Sequence, residues 1–134
     1  MTEPNSEIIW PKPSGAKELQ LTDTDIKRLM RWALKRLGTD EKDFYSSCRK
    51  RELVYARSII AYFLLSLGVP KKKIAETIKR DRSTVQHLLY WALEYFGEEL
   101  KPVGGLIYSY ELWREERTEL NAYYKAKKSR KRGK

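Results

Sequence analysis

Two clusters of basic side chains precede segments with helical periodicity. They are Arg49, Lys50 and Arg51, and Lys71, Lys72 and Lys73. Positive charge at the start of a helix is unfavourable, because the helix dipole already makes that end positive. The free backbone N–H groups at the same end attract phosphate. Each cluster therefore indicates an external anion, and the three lysines are typical of a phosphate clamp. A solvated helix start is the alternative.

A third group of polar residues opens the segment RSTVQHLLYWALEYF. In a helix that lies in the major groove, Arg82 and Ser83 would meet base edges. Arg can donate to both N7 and O6 of guanine, and a Ser hydroxyl can pair with several bases. Thr84, Gln86 and His87 are better placed for phosphate oxygens. No nucleophile is visible to partner His87, so we expect no catalytic role for it.

The composition excludes several classes of protein. One Cys and one His cannot form a tetrahedral zinc site, and Cys48 alone cannot form an internal disulfide. The triplet Glu99-Leu100-Lys101 is of the kind that nucleases place around a metal, but no strand pattern accompanies it. We therefore expect no enzyme activity, no metal and no cofactor. The longest apolar stretch, residues 59–69, is too short to span a membrane, and the N-terminus lacks the pattern of a secretory signal.

The excess positive charge is confined to two segments. The chain has 28 Lys and Arg against 18 Asp and Glu, a formal net charge of +10. Residues 1–44 are neutral overall, residues 45–92 carry +7, residues 93–124 carry −4 and residues 125–134 carry +7. A charge that serves solubility alone would be spread more evenly. The pattern is typical of a protein that binds a polyanion.

The hydrophobic periodicity predicts an all-α fold. Thr22 and Asp25 have the spacing of a capping box, and Pro70 and Asp81 suit the first positions of two further helices. Two helices with so short a joint form a helix-turn-helix. Before them, a Pro-rich arm includes Trp10, which could pack back on the body together with its neighbours Ile8 and Ile9. The predicted helices run from Thr22 to Gly38, Asp40 to Tyr45, Lys50 to Gly68, Pro70 to Ile78, Asp81 to Gly97, and, after a turn rich in Pro and Gly, from Tyr108 to about Lys125.

The segments RKRELVYAR and RDRSTVQH, both within residues 49–93, resemble the C-terminal DNA-binding domain of the bacterial replication initiator DnaA. The second is similar to the family signature Arg-Asp-His-Thr-Thr-Val, a further residue and His. The first is similar to the arginine-rich entry to the long helix of the family. The resemblance extends from about Asp25 to Phe96. It implies a Trp-repressor-like helix-turn-helix that reads the major groove, with an arginine in the adjacent minor groove.

The resemblance also implies individual roles. Arg49 matches the minor-groove arginine, and Asp81 matches a residue that the family uses at the DNA as well as being a potential helix cap. By the same analogy Arg57 contacts phosphate. The expected base-reading residues are thus Arg49, Asp81, Arg82 and Ser83. The expected phosphate-binding residues are Lys50, Arg51, Arg57, Lys71, Lys72, Lys73, Arg80, Thr84, Gln86 and His87.

The chain departs from the family pattern at two reading positions and at the turn. Arg82 stands where the family has His, and Ser83 stands where it usually has Thr. Lys79 stands where two glycines are common. No G-x-x-x-x-G-K-[ST] motif occurs in the sequence, so we expect a DNA reader without the ATPase domain of the initiator.

These patterns predict four parts: an N-terminal arm at 1–21, a helix-turn-helix domain at 22–97, a linker with an additional helix at 98–124 and a basic disordered tail at 125–134. The predicted function is sequence-specific binding of double-stranded DNA in the regulation of transcription or replication. A phage or a mobile element is the expected source of such a protein. The alternative is an architectural protein that binds a partner through its last helix, for example to antagonise a replication initiator. Residues 107–124 would then hold a protein partner or a second copy. The expected location is the cytoplasm, at the nucleoid of a bacterial or phage-infected cell.

Overall fold

Six helices account for the secondary structure of residues 9–132, which are the residues that the computed structural model describes; side chains are described up to residue 127. The helices are α1 (Asp23–Leu37), α2 (Glu41–Tyr45), α3 (Arg51–Ser66), α4 (Lys71–Ile78), α5 (Arg82–Phe96) and α6 (Lys101–Arg132). This range contains no strand, and the predicted all-α fold with a helix-turn-helix is confirmed.

Local sequence signals set the ends of the first five helices as predicted. The Thr22 hydroxyl accepts from the Asp25 N–H at 3.1 Å, and the Asp25 carboxylate accepts from the Thr22 N–H at 3.0 Å. Gly38 ends α1 at φ 68°, a conformation that glycine adopts without strain. Asp40 caps α2 and Asp81 caps α5. The caps leave α4 and α5 joined by a turn of three residues.

Helix α3 forms the centre of the core. Its side chains are buried without interruption from Ala56 to Leu64, and α1, α2, α4, α5 and α6 all pack against it. Ile74, Ile78 and Leu89 of the helix-turn-helix belong to the same hydrophobic cluster. Each large apolar side chain that is buried stabilises the fold by about 1.5–3 kcal/mol. The two helices of the motif are therefore held on a rigid support.

Helix α6 begins earlier than its sequence predicts. Pro102 and Gly104 were expected to lie in a turn, but both are helical. Pro102 lies in the first turn, where a missing N–H costs nothing. A Cβ at Gly104 would meet the Pro13 side chain at 3.4 Å, an ordinary van der Waals distance, so the arm packs directly against this turn of α6. Val103, Leu106, Ile107 and Tyr110 are buried in the common core, which joins the first half of α6 to the helix-turn-helix body.

The described part of the N-terminal arm, residues 9–21, lies along the body without forming a helix. The Leu19 N–H donates to the Leu67 carbonyl at 2.9 Å, and the Lys17 ammonium lies 3.3 Å from the Glu111 carboxylate. Trp10 packs back on the body, as predicted. Ile9 does not, because 90% of it is exposed. Ile8 and the rest of residues 1–8 lie outside the described residues.

The tail differs from its prediction. Residues 125–132 continue α6, whereas the sequence predicts a disordered tail from residue 125. Their composition opposes a packed core but not a helix, since Ala, Lys and Arg all have high helix propensity. The side chains of residues 128–132, and residues 133–134 entirely, lie outside the described part of the chain. Among the described helices, α6 included, none has the length and apolar character needed to cross a membrane.

Candidate nucleic-acid interface

The start of α5 presents polar side chains on a well-capped helix end. The Asp81 carboxylate accepts from the Thr84 N–H at 2.8 Å and from the Ser83 hydroxyl at 2.9 Å. These bonds, chiefly those with Thr84, lower the pKa of Asp81 below its ordinary value. Arg82 and His87 are exposed beside the cap, and Thr84 is half-buried. The cap therefore fixes the backbone from which Arg82 and Ser83 extend into solvent.

Lys79 ends α4 in the left-handed conformation, at φ 57° and ψ 46°. This is the place where the resembling family has glycines, and a side chain in that region carries a steric cost. The Lys79 ammonium lies 4.8 Å from the centre of the Tyr45 ring, over its face. The turn thus adopts the geometry of a glycine turn with a non-glycine residue.

The start of α4 lies against the middle of α5. The Lys71 ammonium donates to the Gln86 side-chain oxygen at 2.9 Å and lies 4.7 Å from the centre of the Trp10 ring. Burial, and after it the charge of Arg82, lower the pKa of Lys71 below its ordinary value. The structure therefore brings Lys71, Gln86 and Arg82 together into one positive patch at the helix-turn-helix.

The three lysines of α4 do not form one clamp. Lys72 is exposed, whereas the Lys73 ammonium lies 2.7 Å from the Asp23 carboxylate and 3.9 Å from that of Glu76. Asp23 raises the pKa of Lys73. Lys73 thus faces the start of α1 and forms a surface ion pair, with which its expected phosphate contact would have to compete.

Arg57 is corrected, from a phosphate contact to a buried structural residue. Only 5% of it is exposed, since it lies on α3 beneath the loop that leads from α2. Its guanidinium donates to backbone carbonyls of the end of α2, Phe44 at 2.9 Å and Asp43 at 3.2 Å, and of the loop, Cys48 at 2.7 Å and Ser46 at 2.8 Å. The donors are directed inward, so Arg57 holds the loop that leads to Arg49.

Arg80 connects this loop to the helix-turn-helix. Its guanidinium donates to the Ser46 carbonyl, which also accepts from Arg57. The bond joins the turn before α5 to the segment that carries Arg49, Lys50 and Arg51, all three of which are exposed. Two basic segments far apart in sequence are thus brought to one side of the domain.

The sequence analysis did not predict that the N-terminal arm contributes to this surface. Trp10 lies 4.9 Å from the Tyr90 ring and 6.2 Å from the Tyr62 ring, and the Tyr62 hydroxyl donates to the Pro11 carbonyl. The pair Trp10-Pro11 in an otherwise polar arm was the available signal. The arm therefore supports Lys71 and the second half of α5 from one side.

No group of three or more His, Cys, Asp and Glu side chains suited to a metal occurs in the part of the chain that the structure describes. The polar chemistry of the surface is that of hydrogen-bond donors and positive charge. Such a surface can bind an anionic polymer and contact base edges.

Comparison with known protein families agrees with this geometry. Residues 26–90 match the family model described as the bacterial DnaA protein helix-turn-helix. These residues form a DnaA-type DNA-binding domain. No curated protein and no solved structure matches the chain. The match extends from α1 to Tyr90 in α5. It includes both helices of the motif and the turn between α4 and α5, and it leaves α6 and the arm outside.

Proposed function

We propose that the chain is a sequence-specific binder of double-stranded DNA that places the start of α5 in the major groove. The observation that carries the proposal is the exposed Arg82 at a capped helix start, flanked by the patch of Lys71 and Gln86. Arg can bind guanine through two donors, which gives it a preference among bases. Lys71 and Gln86 are then placed to contact the adjoining backbone.

The other residues of this surface are assigned to the minor groove, to bases or to phosphates. Arg49 would enter the minor groove beside the α5 site, because Arg80 holds its loop next to the turn. A narrow A·T-rich groove attracts arginine most strongly. Base reading is proposed for Arg49, Asp81, Arg82 and Ser83. Phosphate binding is proposed for Lys50, Arg51, Lys71, Lys72, Lys73, Arg80, Thr84, Gln86 and His87.

The proposed biological role is non-enzymatic regulation of replication or transcription. The gene for such a regulator would belong to a phage or a mobile element. The DnaA-type domain supports a link to replication. Action at the nucleoid follows from such a role. The mechanism is occupancy of a site on the DNA, so the quantity that matters is the ratio of specific to nonspecific affinity.

Selection of binding sites from a pool of random duplexes tests this proposal. We expect a G·C pair beneath α5 and an A·T-rich stretch on one side of it, since Arg82 favours guanine and Arg49 a narrow minor groove. The same selection with Arg82→His should shift the preference at that base pair alone. Equal recovery of all duplexes would refute sequence specificity, and recovery of the ordinary initiator site by both proteins would refute a changed reading at Arg82.

One observation favours the alternative role as a protein-binding module. Every side chain of α6 from Arg114 to Lys127 is exposed, so this part of the helix is accessible to a protein partner. Binding measurements in the absence of DNA distinguish the two roles. A chain that shows no duplex preference at physiological salt but retains a protein ligand would belong to the alternative.

A further inference from the structure

The second half of α6 extends from the body as a single helix. The helix has 32 residues, so it is about 48 Å long at about 1.5 Å per residue. Trp113, whose ring lies 6.0 Å from that of Trp32 in α1, is the last half-buried residue among the described side chains of α6. Beyond that point Leu120 is 51% exposed and Tyr123 is 59% exposed.

Trp113 and these two exposed residues belong to a heptad pattern that also includes two charged side chains. Trp113, Glu116, Leu120, Tyr123 and Lys127 are separated by alternating steps of three and four residues. This spacing places them along one seam of a helix, as the a and d positions of a coiled coil. The seam starts at Trp113, and the described side chains of α6 beyond it are all exposed.

Charge divides the same part of the helix into two halves. Residues 111–119 contain four Glu and two Arg, whereas residues 125–132 contain six Lys and Arg and no acidic residue. A parallel pair of such helices would place like charges opposite each other. An antiparallel pair would place the acidic half of each helix opposite the basic half of the other.

We propose that α6 pairs with α6 of a second copy of the chain as a short antiparallel coiled coil. The two-fold axis passes between residues 121 and 122. In this register Leu120 packs on Tyr123 of the other copy, and Glu116 lies opposite Lys127 of the other copy. Antiparallel coiled coils pair a positions with d positions, and Leu120–Tyr123 and Glu116–Lys127 are both such pairs. Each contact occurs twice about the axis.

The self-complementary seam favours a second copy over other occupants. DNA would engage the basic half but leave Leu120 and Tyr123 exposed. One chain cannot satisfy the pairing by itself, because residues 116 and 127 are three turns apart on the same helix. The inference does not rest on DNA binding, and it is tested without DNA.

The test uses the mass of the full chain in solution, measured by light scattering at about 100 µM, where mass action favours a dimer. We expect twice the chain mass of 15.9 kDa. Glu116→Lys and Lys127→Glu should each weaken association about tenfold, because either change creates two like-charge pairs per dimer. Glu115→Lys is the matched control: it makes the same charge change on a neighbouring residue outside the seam and should leave the mass unchanged.

Two combinations of these variants fix the orientation. Glu116→Lys mixed with Lys127→Glu should recover the dimer, since every seam pair in the mixed species is again attractive. The double variant E116K/K127E should also recover it by itself. A parallel pair would gain nothing from the double variant, so its failure to dimerise would overturn the antiparallel register. A monomeric wild-type chain at this concentration, or a dimer that Glu116→Lys does not weaken, would refute the proposal whatever the DNA binding shows.

Discussion

Arg57 and Arg82 belong to the same DnaA-type domain and serve opposite purposes. Arg57 is buried beneath a loop, where its guanidinium donates to four backbone carbonyls. Arg82 is exposed at the start of α5. The planar fork of arginine suits carbonyls inside a protein as well as guanine outside it. The difference shows that burial, not residue type, separates the arginines that shape the surface from those available to a ligand.

The strongest test of this contrast is Arg57→Ala. It would remove the guanidinium donors from the carbonyls of Phe44 and Cys48, so we expect a loss of about 3 kcal/mol or more in the free energy of unfolding. Urea denaturation followed by circular dichroism measures it. Arg49→Ala, on the exposed end of the same loop, should change stability by less than about 0.5 kcal/mol. A fully stable Arg57→Ala protein that has lost DNA affinity would return Arg57 to the interface.

The converse change, Arg82→Ala, should leave the stability intact and remove base discrimination. On the preferred duplex we expect a loss of about 1–3 kcal/mol in binding, with little change on random DNA. Fluorescence anisotropy with both duplexes measures the difference. Arg28→Ala, which removes an exposed arginine from α1, is the matched control. An equal loss on both duplexes would show that Arg82 contributes charge rather than reading.

The turn between α4 and α5 allows stability to be changed without touching either arginine. Lys79→Gly removes the steric cost of the left-handed conformation, and we expect a net gain of about 0.5–1 kcal/mol. The urea midpoint should rise with an unchanged slope, and the selected DNA site should stay the same. Lys79→Ala controls for loss of the contact with Tyr45 and should give no gain. A stability gain from the alanine variant would contradict the explanation by backbone strain.

The smallest expected effect is on the salt dependence of DNA binding, and it distinguishes the exposed Lys72 from the ion-paired Lys73. Lys72→Ala should weaken all duplexes alike and reduce the dependence of log K on log salt by about 0.9, the value for one phosphate contact. Lys73→Ala should change that dependence less, because the Lys73 ammonium pairs with Asp23 and Glu76. Titrations across a series of salt concentrations compare the two. Equal changes would place both lysines at phosphates.

The helix ends and the helix-turn-helix were predictable because caps such as Asp81 and Gly38 act within a few residues. The errors lie where distant segments meet. Gly104 was expected to lie in a turn, but it is helical and Pro13 packs against it. The ion pair of Lys73 with Asp23 was not predicted either. The burial of Arg57 likewise depends on a loop that precedes it in sequence and folds over it. A single sequence carries no direct signal for such pairings.

The position of Trp10 gives the domain an optical property. Its indole lies beneath the Lys71 ammonium and against Tyr90, on a segment that precedes the matched family region. Indole emission responds to a nearby charge. If the proposed phosphate contact of Lys71 draws the ammonium away from the ring, we expect the fluorescence of Trp10 to change, while the aromatic cluster of Trp32 and Trp113 keeps its surroundings. The arm thus carries a natural fluorophore for occupancy of the groove-facing surface, one that a Trp10→Phe chain would lack.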